Sequence, residues 1–110
     1  MLSIDSALRQ AVEREIAAVL PQVIAFRHAR HEQPELTWQE EDTAAAVEAS
    51  LRQIEGVQVA GRVAKFGVIG LIEGEAPGPT VALRADMDAL PIREGTGCSY
   101  ASKRHGVMHA

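Results

Sequence analysis

Apolar residues Ala7, Leu8, Ala11, Val12, Ile16, Val19 and Leu20 recur at helical spacing between Ile4 and Leu20, which predicts an amphipathic helix. Pro21 interrupts the run. Proline suits the first turn of a helix and damages an interior, so Pro21 predicts either a kink or a fresh start for a segment reaching about Glu32. Pro34 closes that segment, because the residue before a proline is pushed out of the helical region. Thr37-Trp38-Gln39-Glu40 has the form of a capping box and predicts a second helix beginning there. Its apolar set Ala44, Ala45, Val47, Ala49, Leu51 and Ile54 carries the helix to about Ile54, with Gly56 as the stop signal.

From Val57 the period changes. Val57, Val59 and Val63 alternate with polar residues, Val68 to Ile72 is a short apolar run, and Thr80 to Ala85 is another. Three strands follow from that pattern. Glu73-Gly74-Glu75-Ala76-Pro77-Gly78-Pro79 is turn chemistry throughout, and it predicts an antiparallel hairpin between the last two strands. Arg93 to Gly106 has no period and reads as an exposed loop. The chain is thus helical over about 4–54 and strand and loop over about 57–110. This order predicts an α/β fold, with two N-terminal helices packed on a partial mixed sheet.

At 110 residues, with 46% hydrophobic and 24% charged residues, the chain has the balance of one globular domain or part of one. A formal net charge of −4 gives no electrostatic reason to bind nucleic acid or an anionic membrane. The charged Met1 to Leu20 stretch lacks the form of a secretory leader, and the single cysteine, Cys98, excludes an internal disulfide. The expected compartment is therefore the cytoplasm.

Asp86 and Asp88 would share one face of a strand continuing through them. Two carboxylates at that spacing can form a hard oxygen site for a cation, or one can orient a histidine ligand. They can equally cap backbone groups in a turn, and Arg84 can neutralise the pair. His28 and His31 lie three apart on one helical face, but no glutamate follows where a helical zinc motif needs one. His105 sits in a basic loop and reads as exposed. His109 follows an apolar pair and is the better ligand candidate, although one histidine cannot hold a metal. Cys98 reads as a small apolar loop residue, and Trp38 and Phe66 as core.

Three segments carry a resemblance: His31-Glu32-Gln33-Pro34-Glu35-Leu36, Pro77 through Ile92 with its Arg84-Ala85-Asp86-Met87-Asp88-Ala89-Leu90-Pro91 core, and Gly106-Val107-Met108-His109-Ala110. In this order they resemble the N-terminal part of the metal-dependent amidohydrolases that include hippurate hydrolase, N-acyl-amino-acid amidohydrolase and the indole-acetyl-amino-acid hydrolases. The resemblance spans roughly Leu20 to Ala110. It implies a catalytic domain with a helix-flanked mixed sheet and two divalent metals, zinc, manganese or cobalt. It also implies amide hydrolysis of N-acyl amino acids by a metal-bound water with a glutamate moving the proton. Asp88 matches the aspartate that supports the metal site, and Asp86 matches a position where sister branches carry a histidine ligand. His109 matches the histidine just ahead of the ligand motif, and Glu94 matches a position outside catalysis.

In the family the Met-His-Ala of residues 108–110 continues into Cys-Gly-His-Asp, which brings the first metal ligands, and then to the catalytic glutamate. None of these falls within 1–110. The expectation is one incomplete domain, the N-terminal part of a hydrolase, inactive alone. The alternative is a non-catalytic binding module or one half of a split enzyme. In either case, missing strands would leave an open sheet edge that favours self-association.

Overall fold

Residues 5–110 are described by a computed structural model. Helix α1 runs from Ser6 to Glu32. Asp5 caps it, its carboxylate accepting the Ala7 N–H at 3.2 Å. The helix continues unbroken through Pro21. Proline forfeits the hydrogen bond to residue 17, but both Ala17 and Pro21 are exposed, so the freed carbonyl is not buried. The helix then stops as Pro34 requires. Gln33 donates its N–H to the Arg30 carbonyl at 3.1 Å, and Pro34 is fully buried behind it.

Helix α2 spans Glu41–Arg52 and begins later than the capping-box pattern predicts. Glu40 occupies the cap position without a side-chain hydrogen bond. The orphan N–H groups of the first turn go instead to Glu35, whose two carboxylate oxygens accept from Asp42 at 2.9 Å and Thr43 at 2.7 Å. A carboxylate anchored just outside a helix start satisfies the donors and the positive dipole end together. It displaces the local Thr37 and Glu40 arrangement. Trp38 falls in a turn with φ of 64° and stands exposed, outside the core, whereas Phe66 is half-buried.

Strands β1 (Val57–Val63) and β2 (Gly67–Ile72) form a two-stranded antiparallel sheet, with Val57 opposite Ile72 and Val63 opposite Gly67. The hairpin therefore lies between the first two strands, not across Glu73 to Pro79. Its turn carries Ala64 and Lys65 at φ of 46° and 83°, positions that lack the Gly or Asn by which such turns announce themselves. Gly67 closes it because a Cβ there would come within 2.5 Å of the Val63 carbonyl oxygen. A register shift between Ala60 and Val63 marks a bulge.

Residues 80–85 form no strand. Among the described residues they have no ladder partner. Val81 is 83% and Leu83 98% exposed. Strand propensity is realised only against a neighbour, and none is present.

The α/β layering comes from α2 lying on the hairpin. Leu51 packs where a Cβ on Gly70 would meet it at 3.3 Å, and Val57 and Val59 are the half-buried side of β1. A second nucleus gathers around Ala89, only 1% exposed. Ala89 donates its N–H to the Glu35 carbonyl, with Leu36 beside it in a parallel bridge, and Leu90 exchanges hydrogen bonds with Met108 in an antiparallel one. This nucleus brings residues 34–37, 88–91 and 107–109 side by side. The apolar residues of α1, including Leu8, Ile16 and Val23, remain exposed.

Candidate metal-site wall and its loop clasp

Residues 84–88 leave the Ala89 nucleus along the edge of an open cleft of about 370 Å³, which Thr37, Trp38, Phe66 and Gly67 also line. The two aspartates have separate partners. Arg84 donates to Asp86 at 2.9 Å on an exposed surface. Asp88 is half-buried and accepts the Thr37 hydroxyl on Oδ2 at 2.5 Å. Thr37, which fails as a helix cap, is thus the residue that orients Asp88.

His109 reaches the same segment from behind. Its Nε2 lies 3.3 Å from the Met87 carbonyl oxygen. A carbonyl only accepts, so Nε2 donates, and Nδ1 is the ring nitrogen turned away from this bond. Metal-binding imidazoles are commonly oriented by such a backbone carbonyl. Among the described residues, however, Asp86, Asp88 and His109 do not converge as three donor atoms on one point.

The loop over residues 93–106 is anchored by Glu94, whose side chain is only 6% exposed. One carboxylate oxygen accepts the Ser102 N–H at 2.5 Å, and the other accepts the Thr96 hydroxyl at 2.5 Å and faces His31 Nε2 at 2.9 Å. The Ser102 N–H, then the Thr96 hydroxyl and His31, hold the Glu94 carboxyl down from 4.5 to about 2. Lys103 adds an ion pair to Glu32, and its N–H meets the Glu32 carbonyl. Tyr100 stacks on His28 with ring centroids 3.6 Å apart and presents an edge to His31. The two histidines three apart on α1 therefore clamp a loop. His105 is exposed as expected.

Sequence reasoning passed over Glu94, Tyr100 and Thr37 as members of this region. The signal available was the shared face of His28 and His31, which needed a partner that only tertiary structure supplies. Cys98 is another grouping that spacing did not reveal, with Sγ 3.6 Å from Glu94 Oε1.

No family model matches the sequence. The N-acetyl-L-cysteine deacetylase of Bacillus subtilis is 47% identical over 89 residues, covering 81% of this chain and 21% of the relative. The N-acyl-L-amino acid amidohydrolase of Geobacillus stearothermophilus is 42% identical over 102 residues, covering 93% of this chain and 27% of the relative. A solved Bacillus subtilis structure, a dinuclear metal-binding peptidase of the M20 family, superposes with a TM-score of 0.76 at 40% identity over 84% of this chain and 26% of its own.

The chain belongs to the metal-dependent amidohydrolase and peptidase family. It spans about a quarter of the length of the relatives it matches. The two helices and the antiparallel hairpin are the part of the M20 fold represented here. Among the described residues, no helix is long and apolar enough to cross a membrane.

Proposed function

We propose that this chain supplies one wall of the metal centre of an enzyme that hydrolyses the amide bond of N-acyl amino acids, hippurate among them. The observation that carries the reading is the pairing of Thr37 with Asp88 at the cleft edge. It fixes one carboxylate oxygen and leaves Oδ1 to act on a neighbour. Asp88 is the supporting residue in this reading, with Asp86 and His109 as subsidiary candidates. The donor set fits hard or borderline divalent cations, zinc, manganese or cobalt, because it offers carboxylate oxygens and an imidazole nitrogen.

Bound there, such metals supply polarisation of the scissile carbonyl and a lowered pKa for a water. The chain's own residues position. Thr37 holds Asp88 against rotation, and the Met87 carbonyl holds the His109 ring in one orientation. Because Asp86, Asp88 and His109 do not gather three donors by themselves, the 110 residues alone are expected to be inactive.

The test is a chimera in which this chain replaces the corresponding segment of the Geobacillus amidohydrolase. Metal-dependent release of amino acid from an N-acyl substrate is expected, and Asp88→Ala should lower kcat by about 100-fold through loss of metal-site orientation. A folded chimera in which Asp88→Ala keeps full activity would overturn the assignment. The 110-residue chain should release no glycine from hippurate with zinc, manganese or cobalt, and turnover there would overturn its inactivity alone.

A further inference from the structure

One group of three metal-binding side chains does converge among the described residues, and it lies outside the Asp88 cleft. An imidazole nitrogen of His31, a carboxylate oxygen of Glu94 and the sulfur of Cys98 all lie within 4.8 Å of one another. We propose that His31, Glu94 and Cys98 bind a single thiophilic divalent cation of the zinc class, on donor atoms distinct from those of the Asp88 cleft and adjoining it where the His31 ring lies 5.9 Å from that of His109.

The spacing is close to that of a tetrahedral site. Zinc with ordinary ligand lengths places sulfur about 3.5 Å from its nitrogen or oxygen neighbours, and nitrogen and oxygen about 3.3 Å from each other. Here the Cys98 sulfur is 3.6 Å from Glu94 Oε1, and His31 Nε2 is 2.9 Å from the same oxygen. The Glu94 oxygen already stands near tetrahedral spacing from both partners, and the His31 nitrogen and Cys98 sulfur, within 4.8 Å of each other, close on the ion as it enters. The frame that holds the donors is independent of the ion. His31 sits in the last turn of α1, and the Ser102 N–H pins Oε2 of Glu94 while leaving Oε1 turned toward the other two.

Charge and burial agree with this assignment. The His31 and Glu94 side chains are only 13% and 6% exposed. A divalent cation with one thiolate, one carboxylate and one neutral imidazole forms a complex of zero net charge, which a half-buried pocket accepts at low cost. Glu94 is already ionised, its carboxyl held near 2, so it has no proton to lose. On binding, the Cys98 thiol releases its proton to solvent, the proton that His31 Nε2 directs at Glu94 is displaced so that this nitrogen offers its lone pair while Nδ1 carries the ring's proton, and Thr96 gives up its bond to Oε1. Three protein ligands leave the fourth position to water.

The competing role for the trio, a cysteine nucleophile with histidine as base, does not fit the geometry. His31 Nε2 faces Glu94, and the Cys98 thiol points at that same carboxylate oxygen. A nucleophile would need the imidazole between thiol and carboxylate.

The test uses the chelator-treated chain titrated with cobalt(II) alone. One equivalent should produce the visible bands of a tetrahedral site and a thiolate-to-cobalt charge-transfer band in the near ultraviolet. Cys98→Ser, with its fold checked by circular dichroism, should lose the charge-transfer band. His31→Ala should weaken cobalt binding by about 100-fold or more, since even outer-shell partners are worth 10- to 100-fold. Asp88→Asn should leave the band intact. The inference is overturned if the native chain shows no charge-transfer band, if the band survives in Cys98→Ser, or if Asp88→Asn abolishes it. No hydrolysis enters the readout, so failure here leaves the proposed activity standing.

Discussion

The Glu35 carboxylate accepts the backbone N–H of Thr43 at 2.7 Å, so the start of α2 is held by a residue that lies before the intervening turn. Glu35 is 3% exposed, and removing it strands two donors, of which the Thr43 N–H is buried. Glu35→Ala is expected to cost about 2 kcal/mol, the upper range for a helix cap, and Glu35→Gln about half of that. Urea denaturation measures both. Equal midpoints for the alanine variant and the native chain would exclude the capping role.

Acidification should loosen the loop over residues 93–106. Glu94 has a carboxyl lowered to about 2 from 4.5. A depressed folded-state pKa contributes stability that is fully present above the unfolded value and lost as pH falls toward the folded one. The loss therefore runs from about 4.5 down to about 2. Glu94→Gln should remove this part of the pH dependence, so its thermal midpoint should fall less steeply with pH than that of the native chain. Parallel curves across the window would refute the assignment.

Thr37 and Asp88 should be coupled. A hydrogen bond to a half-buried carboxylate predicts an interaction energy of about 1 kcal/mol in a double-mutant cycle built from Thr37→Val and Asp88→Asn. Additive effects would mean that Thr37 does not orient Asp88.

Much of the layout was legible in the sequence because it is local. The helical periods, the stop at Pro34 and the β1 and β2 runs depend on neighbours within a few residues. What escaped depended on distant partners. The Thr37 and Glu40 pattern is a valid cap by local rules, yet a buried carboxylate from Glu35 competes for the same N–H groups and wins. The apolar run 80–85 has strand character without a strand beside it. Asp86, Asp88 and His109 stand out by pattern, whereas Glu94 matches a position outside catalysis, and its anchoring role depends on the backbone and side chains it gathers, among them His31, 63 residues away.

Pro21→Ala should stabilise α1. The substitution restores one backbone hydrogen bond at an exposed position in an otherwise continuous helix, an effect of about 1 to 3 kcal/mol within that element. Circular dichroism should show higher helix content. An unchanged spectrum would mean that the proline already sits without penalty.

The isolated chain should self-associate. The apolar residues of α1 and the outer edge of the hairpin are uncovered, with Leu8 at 56% and Ile72 at 74% exposure. Sedimentation at rising concentration should show oligomers, and Ile16→Lys with Val23→Lys should shift them toward monomer. A monodisperse monomer at high concentration would rule this out.

The contact between His31 and Glu94 also sets an order of events during folding. It encloses α2 and the β1–β2 hairpin entirely, and those three elements make their contacts within residues 41–72. Short-range closure is entropically cheaper than closure of the long segment around it. The α2 and hairpin unit can therefore assemble first and act as a rigid spacer. Once it has formed, residues 94–109 have a much shorter effective search to reach the end of α1, and the Ala89 nucleus, with Asp88 beside it, takes shape last.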